Sequence, residues 1–241
     1  MWLFLGARKG EGEAVGEIFS IGKFSLETFE LKLNIGCGPG GQFEGYINID
    51  NSPSILLGKC SAIKKILWAL KIIDDSKFNA NWSGIIRCDV GKGIHYGSDS
   101  VDKIYSSHLL EHIPQDRGVF FIKECYRVLK RGGVMRLVVP DLFFHAEQYV
   151  EATRALIGRE DLPEDRIPHD IFLNTICGAY LKKRRYGAEH YYMYDLPTIV
   201  SILKDSGFEN IQRCEFKEGA DKELASFDSR PDESLHLECI K

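Results

Sequence analysis

The chain has 241 residues, of which 44% are hydrophobic, and its 31 basic and 35 acidic residues give a formal net charge of −4. These values are typical of a globular protein and argue against a disordered chain, a collagen or a disulfide-rich miniprotein. Because no apolar stretch reaches about 18 residues and the charge is acidic, we expect neither a membrane segment nor a nucleic-acid surface. The 7 cysteines include no C-x-x-C pair, so we interpret them as reduced thiols of a cytoplasmic protein.

The first half of the chain alternates predicted strands with one helix. Residues 1–29 are interpreted as an N-terminal extension, and 30–241 as one domain. Residues 31–35 alternate as in a strand, and the segments 46–50, 84–89 and 101–106, which end in an acid or in polar residues, are interpreted as three further strands. Helical spacing predicts a helix at 61–73.

The second half continues this alternation. Apolar residues at helical spacing predict helices at 115–130, 143–156 and 197–206. Lys130, Arg131, Gly132 and Gly133 are interpreted as the stop signal of the first of these helices. Strands are predicted at 134–141, 208–216 and 234–240. The pattern predicts an α/β fold, Rossmann-like, with a mostly parallel sheet flanked by helices and an antiparallel C-terminal edge strand.

The first predicted strand leads directly into glycines, and the next two strands end in acids. Gly36, Gly38 and Gly40 allow a tight turn and a close approach of the backbone to a ligand. Asp50 can accept hydrogen bonds from both ribose hydroxyls of a nucleoside, and Asp89 from an adenine amino group. A dinucleotide site expects its ribose acid about 20 residues after the glycines, whereas Asp50 is 10 positions after Gly40. The spacing therefore favours one adenosine-sized ligand over a nicotinamide dinucleotide.

Five segments together resemble a known family: Leu33–Gly38, Gly45–Asp50, Cys88–Val90, His108–His112 and Tyr126–Gly133. They are similar to class I S-adenosylmethionine-dependent methyltransferases. The strongest resemblance is to small members with a Leu-Glu-His signature after strand four. The resemblance extends over about 31–241, and it implies S-adenosylmethionine as the cofactor.

The resemblance also implies a role for individual residues. The glycine loop lies against the methionine part of the cofactor, through Asn34, Gly36, Cys37, Gly38 and Gly40. Asp50 holds the ribose, and Asp89 with Val90 holds the adenine. Ser107 and His108 form a wall near the sulfonium. Asn34 replaces the acid that the family usually has two residues before the first glycine, and the short link from the glycines to Asp50 implies a truncated or absent first helix.

The signature at 108–112 also matches the zinc motif H-x-x-E-H. That motif needs one continuous helix across His108 and His112. A strand precedes it here, and Pro114 disfavours helical geometry at Ile113. We therefore expect no metal at this motif, and a zinc hydrolase is a weaker alternative.

Methyl transfer to a hydroxyl benefits from a general base. Four residues are candidates: Asp141, His145, His112 and His190. We predict His190 or Asp141 as the catalytic base, with a lid-like insertion at about 142–195. The predicted acceptor is a small molecule, and the resemblance to relatives in glycan synthesis indicates a sugar-linked hydroxyl. A non-catalytic protein that binds the cofactor is the alternative, and the basic run 182–185 is either a solvated face or a phosphate contact.

Overall fold

The computed structural model describes residues 30–58, 60–159, 168–178 and 189–241. The predicted extension at 1–29 and the basic run 182–185 lie outside these ranges. The described strands are β1 (Lys32–Ile35), β2 (Ile47–Asp50), β3 (Ile85–Arg87), β4 (Val101–Ser107), β5 (Leu129–Pro140), β6 (Glu209–Cys214) and β7 (Ser234–Ile240).

Helices connect these strands. Within the described ranges they are α1 (Ser54–Gly58), α2 (Ser61–Ala69), α3 (Asp75–Asn79), α4 (Gln115–Val128), α5 (Leu142–Leu156), α6 (Pro168–Ile176), α7 (Leu196–Asp205) and α8 (Lys222–Ser226). Short 3₁₀ turns follow β3 at Val90–Lys92 and β4 at Leu110–His112. None of the helices that the structure describes is long and apolar enough to cross a membrane.

The strands form one sheet in the order β3-β2-β1-β4-β5-β7-β6. β1 to β5 pair with one another in parallel, and β7 runs antiparallel between β5 and β6. The predicted Rossmann-like sheet with its antiparallel C-terminal strand is therefore confirmed. Because the carboxyl ends of β1, β2, β3 and β4 lie at one edge, the loops that follow them converge there.

Two predicted boundaries need correction. The helix predicted to Lys130 ends at Val128, and Leu129 is already extended (φ −61°, ψ 141°). Lys130 Nζ lies 2.7 Å from Asp102 Oδ1 and Gly132 lies inside β5, so 130–133 do not cap the helix. The helix predicted at 61–73 ends at Ala69, and much of its apolar stripe is exposed. The sequence has helical spacing to residue 73, but the helix is not stabilised there by burial of its apolar residues.

A buried arginine holds the segment between β6 and β7 against the sheet. Arg136 on β5 is fully buried. Its Nε donates to Asp228 Oδ1 at 2.9 Å, and its Nη1 donates to Glu238 Oε1 at 2.7 Å and to the carbonyl of Glu218 at 3.0 Å. Asp228 and Glu238 are also buried. One guanidinium therefore compensates two carboxylates that have left water.

Replacing this cation should destabilise the fold strongly. Arg136→Met removes about 3–5 kcal/mol from the free energy of unfolding, because it leaves two buried carboxylates uncompensated. The matched control is Arg131→Met, an exposed position on the same strand, where a change within about 0.5 kcal/mol is expected. Urea unfolding followed by circular dichroism measures both. Equal stability of the two variants would show that the network contributes little.

Candidate active site

The link from β1 to β2 contains no helix, as the short spacing predicted. Gly36, Gly38, Gly40 and Gly45 all have positive φ, of 82°, 57°, 98° and 77°. At Gly36 a Cβ atom would lie 2.8 Å from Leu109 Cβ. Glycine there allows the loop after β1 to pack directly against the turn after β4.

The side chain of Asn34 holds this loop through hydrogen bonds. It is buried, and its Nδ2 donates to the carbonyl of Gly41 at 2.7 Å and to Asn48 Oδ1 at 2.8 Å. Asn48 Oδ1 also accepts from the backbone of Phe43. Both amide hydrogens of Asn34 are thus donated to acceptors within the protein, so this side chain stabilises the loop. Its predicted contact with the cofactor stays a prediction.

Asp50 lies at the end of β2 and closes the loop. Its Oδ2 accepts from the backbone N–H of Gly38 at 2.9 Å, and its Oδ1 accepts from that of Ser52 at 2.7 Å. Cys37 lies between these glycines, and burial, reinforced by the negative charge of Asp50, raises the pKa of its thiol to about 12. The loop therefore presents a thiol that stays protonated and one carboxylate with spare lone pairs.

Asp89 and Val90 follow β3, the strand that pairs with the end of β2. The Cys88 N–H donates to the carbonyl of Asp50, which brings the two strand ends together. Asp89 precedes the 3₁₀ turn without capping it, and its Oδ2 lies 3.0 Å from Lys92 Nζ. The side chain of Val90 is buried in the core, so only its backbone can face a ligand. Their predicted adenine contact stays a prediction.

His108 follows Ser107 directly and takes a left-handed conformation with φ 49°. Its backbone N–H donates to the carbonyl of Val138 at 2.9 Å. Its Nε2 lies 3.0 Å from Ser234 Oγ, and its Nδ1 lies 3.2 Å from Glu111 Oε1. The segment from 108 to 112 is a bend followed by a 3₁₀ turn, so the helix that H-x-x-E-H needs is absent here.

Glu111 is the acid of this turn, and only 1% of its surface is exposed. Sequence analysis did not select it as a site residue. Neither of its carboxylate oxygens has a hydrogen-bond partner among the described residues. Its backbone carbonyl accepts from the N–H of Tyr191 at 2.7 Å, which brings the segment containing His190 to the turn after β4. The rings of His190 and His112 lie 4.9 Å apart.

The two predicted bases have different surroundings. Asp141 is buried and caps α5, because its Oδ1 accepts from the N–H of Phe143 at 2.9 Å. His190 Nδ1 is buried without a hydrogen-bond partner in the described structure. Burial, reinforced by His112, lowers the pKa of His190. Asp141 thus has a structural role as a helix cap. His190 instead has a ring nitrogen without a hydrogen-bond partner among the described residues.

The matched family agrees with this geometry. Residues 33–137 match a family model described as a methyltransferase domain. This span runs from β1 into β5 and contains the glycine loop, both acids at the strand ends and the turn after β4. The match identifies this span as a methyltransferase domain, as the resemblance to class I S-adenosylmethionine-dependent methyltransferases implied. The resemblance found in the sequence is confirmed, and so is the enzyme class.

Solved methyltransferase structures resemble this chain only distantly. One from Archaeoglobus fulgidus is 14% identical, with 89% of this chain and 87% of that chain covered and a TM-score of 0.45. One from Mesorhizobium loti is 21% identical, with 88% and 90% covered and a TM-score of 0.46. One from Methanosarcina mazei is 16% identical, with 90% and 94% covered and a TM-score of 0.47. No curated protein matches the chain.

The contact between Gly36 and Leu109 predicts different costs at two glycines. Gly36→Ala and Gly45→Ala each place a side chain at positive φ, which costs about 1–2 kcal/mol. At Gly36 the overlap with Leu109 adds roughly 1–3 kcal/mol, whereas the space at Gly45 is open. Urea unfolding of both variants gives the difference. Equal losses of unfolding free energy in the two variants would mean that the contact with Leu109 does not restrict position 36 to glycine.

Cys37 should resist alkylation. With a pKa of about 12, about one Cys37 thiol in 10⁴ is ionised at pH 8, and the thiolate is the reactive form. Iodoacetamide should therefore modify the exposed Cys60 long before Cys37, as measured by peptide mass spectrometry. Equal rates at the two positions would contradict the environment described for the loop.

Proposed function

We propose that this methyltransferase binds S-adenosylmethionine in the cleft between the glycine loop and the ends of β2 and β3, and methylates a sugar-linked hydroxyl of a small molecule. The observation that carries the cofactor position is the contact between Asp50 and Gly38. It places a carboxylate directly beside a loop of positive-φ glycines. An adenosine with its ribose at the carboxylate suits this arrangement.

The donors and acceptors of the cleft fit the cofactor. Each oxygen of Asp50 accepts one backbone N–H, and a carboxylate oxygen has two lone pairs. Both oxygens therefore keep one for a ribose hydroxyl. We assign the adenine to Asp89 and the backbone of Val90. We assign Ser107 and His108 to the wall near the sulfonium, because they end the strand next to β1.

Methyl transfer depends on the orientation of the two reactants more than on a covalent intermediate with the protein. When bound, S-adenosylmethionine supplies a methyl group on a sulfonium leaving group. The chain's own task is to hold an acceptor oxygen in line with that methyl and to exclude water. A hydroxyl acceptor also has to lose its proton. Of the two predicted bases, we favour His190, whose Nδ1 has a lone pair that no described group uses.

A cavity in the predicted lid supports a small acceptor. α5 and α6 pack against each other within 142–195, and the rings of Tyr149 and Phe172 stack at 4.7 Å. Beside them lies a cavity of about 160 Å³, whose lining includes these two rings, His145 and Gln148. Aromatic faces pack on apolar faces of a ligand, and amide and imidazole groups hydrogen-bond to hydroxyls. This combination suits a sugar.

Calorimetric titration tests the cofactor position. Asp50→Asn should weaken binding of S-adenosylmethionine and S-adenosylhomocysteine at least tenfold, because one ribose acceptor is lost. The control is Asp205→Asn, which removes the same charge from an exposed position at the end of α7 and should leave the affinity unchanged. Thermal melting checks that the amide introduced at position 50 still supports the loop.

Two results would contradict this proposal. The first is an unchanged affinity in Asp50→Asn, which would move the ribose elsewhere. The second is binding of NAD without binding of S-adenosylmethionine, which would exclude the cofactor. The acceptor is tested separately, by transfer of a labelled methyl group to a panel of sugars and non-sugar alcohols, and a preference for the alcohols would overturn the sugar assignment.

A further inference from the structure

Glu111 lies where a carboxylate needs a partner. An ionised carboxylate buried without compensation is strongly unfavourable. Both oxygens of Glu111 lack a hydrogen-bond donor in the described part of the chain. Its nearest potentially cationic neighbours are His108, whose Nδ1 is 3.2 Å from Oε1 without hydrogen-bond geometry, and His112, whose Nε2 is 4.0 Å away. Among the described residues, no hydrogen-bond donor therefore compensates this buried carboxylate, and a bound cation would supply the missing partner.

The orientation of His112 favours a bound cation. Its Nδ1 lies 2.9 Å from the carbonyl of Glu189. A carbonyl only accepts, so Nδ1 carries the hydrogen, and the lone pair of the neutral ring is on Nε2. That atom is the one near Glu111. Histidines that bind metals are typically held by such a hydrogen bond from the other ring nitrogen to a carbonyl.

His190 supplies a third ligand atom. The hydrogen bond from Tyr191 N–H to the Glu111 carbonyl fixes its segment against the turn. Its Nδ1 is buried without a partner among the described residues. One ligand atom each from Glu111, His112 and His190 lie within 4.8 Å of one another. Ligand atoms on a tetrahedral zinc ion lie about 3.3 Å apart, so small side-chain rotations close the gap.

We propose that Glu111, His112 and His190 bind a divalent transition-metal ion of the zinc type. Two imidazoles with one carboxylate suit zinc and its neighbours, whereas magnesium and calcium prefer oxygen ligands. Three protein ligands leave one tetrahedral position open, as in catalytic zinc sites. This site differs from the H-x-x-E-H motif, because His108 takes no part and the glutamate is a ligand. It goes beyond the proposed function, since it requires neither cofactor nor acceptor, but a metal ion on His190 would replace that residue as the proposed base.

Metal binding to the full chain tests this inference. Chelator-treated protein is titrated with Co²⁺, followed by visible absorbance, and with Zn²⁺, followed by calorimetry and thermal melting. We expect one equivalent to bind and the melting temperature to rise. Glu111→Gln and His190→Ala should each weaken binding at least tenfold. His95→Ala, at an exposed histidine outside the cluster, should bind like the unmodified protein.

Glu111→Gln also separates a metal site from a simple ion pair. If a metal normally compensates this charge, the isosteric amide should not lower the melting temperature of the metal-free protein. If Glu111 serves only to pair with His108, the variant melts earlier and the metal changes nothing, which overturns the inference. Absence of saturable binding, or equal binding by all variants, also overturns it.

A parallel titration separates this inference from the proposed function. The metal-free protein and His190→Ala should bind S-adenosylmethionine with equal affinity, because no predicted cofactor residue is changed. Cofactor binding without metal binding would overturn the metal site alone. Metal binding without cofactor binding would leave the metal site supported and would contradict the proposed cleft.

Discussion

The close approach of Gly36 to Leu109 is the constraint on which the functional edge of the sheet depends. β1 and β4 are neighbours, so their following loops compete for the same space. A glycine with φ 82° lets the loop after β1 turn away at once and leaves room for Leu109. Leu110–His112 can then fold into a tight turn beside the loop. The residues that we propose for the cofactor and the buried carboxylate thus lie side by side because one position has no side chain.

The loop itself is held by amides and a carboxylate instead of a helix. Asn34 and Asn48 hydrogen-bond to each other and to the loop backbone, and Asp50 accepts from Gly38. A charged residue at position 34 would bring an ion into this buried network, where an amide can both donate and accept. We interpret the departure from the family's usual acid as a consequence of the missing helix, because the loop needs these donors to keep its shape.

The sheet could be predicted from the sequence because short apolar segments between turn residues indicate its strands, and the proposed cofactor residues stand next to the ends of these strands. The helices α1, α3 and α8 were not predicted, since five residues are too few to show a helical period. The proximity of His190 to Glu111 was not predictable either. The two residues are far apart in the chain, and they meet through a backbone hydrogen bond of Tyr191, which leaves no trace in the pattern of side chains.

The free nitrogen of His190 links the acceptor chemistry to the buried charge. Its Nδ1 has one lone pair, which either takes a proton from an acceptor hydroxyl or binds a metal ion, but not both. A general base profits from a nearby carboxylate that stabilises its protonated form, and the negative charge of Glu111 has this effect on His190, although burial still lowers the pKa of the ring. The fixed orientation of His112 adds nothing to a base and is required of a ligand. If Glu111, His112 and His190 hold a metal ion, that ion would acidify an acceptor oxygen in place of His190 as the base; without the ion, His190 keeps that role.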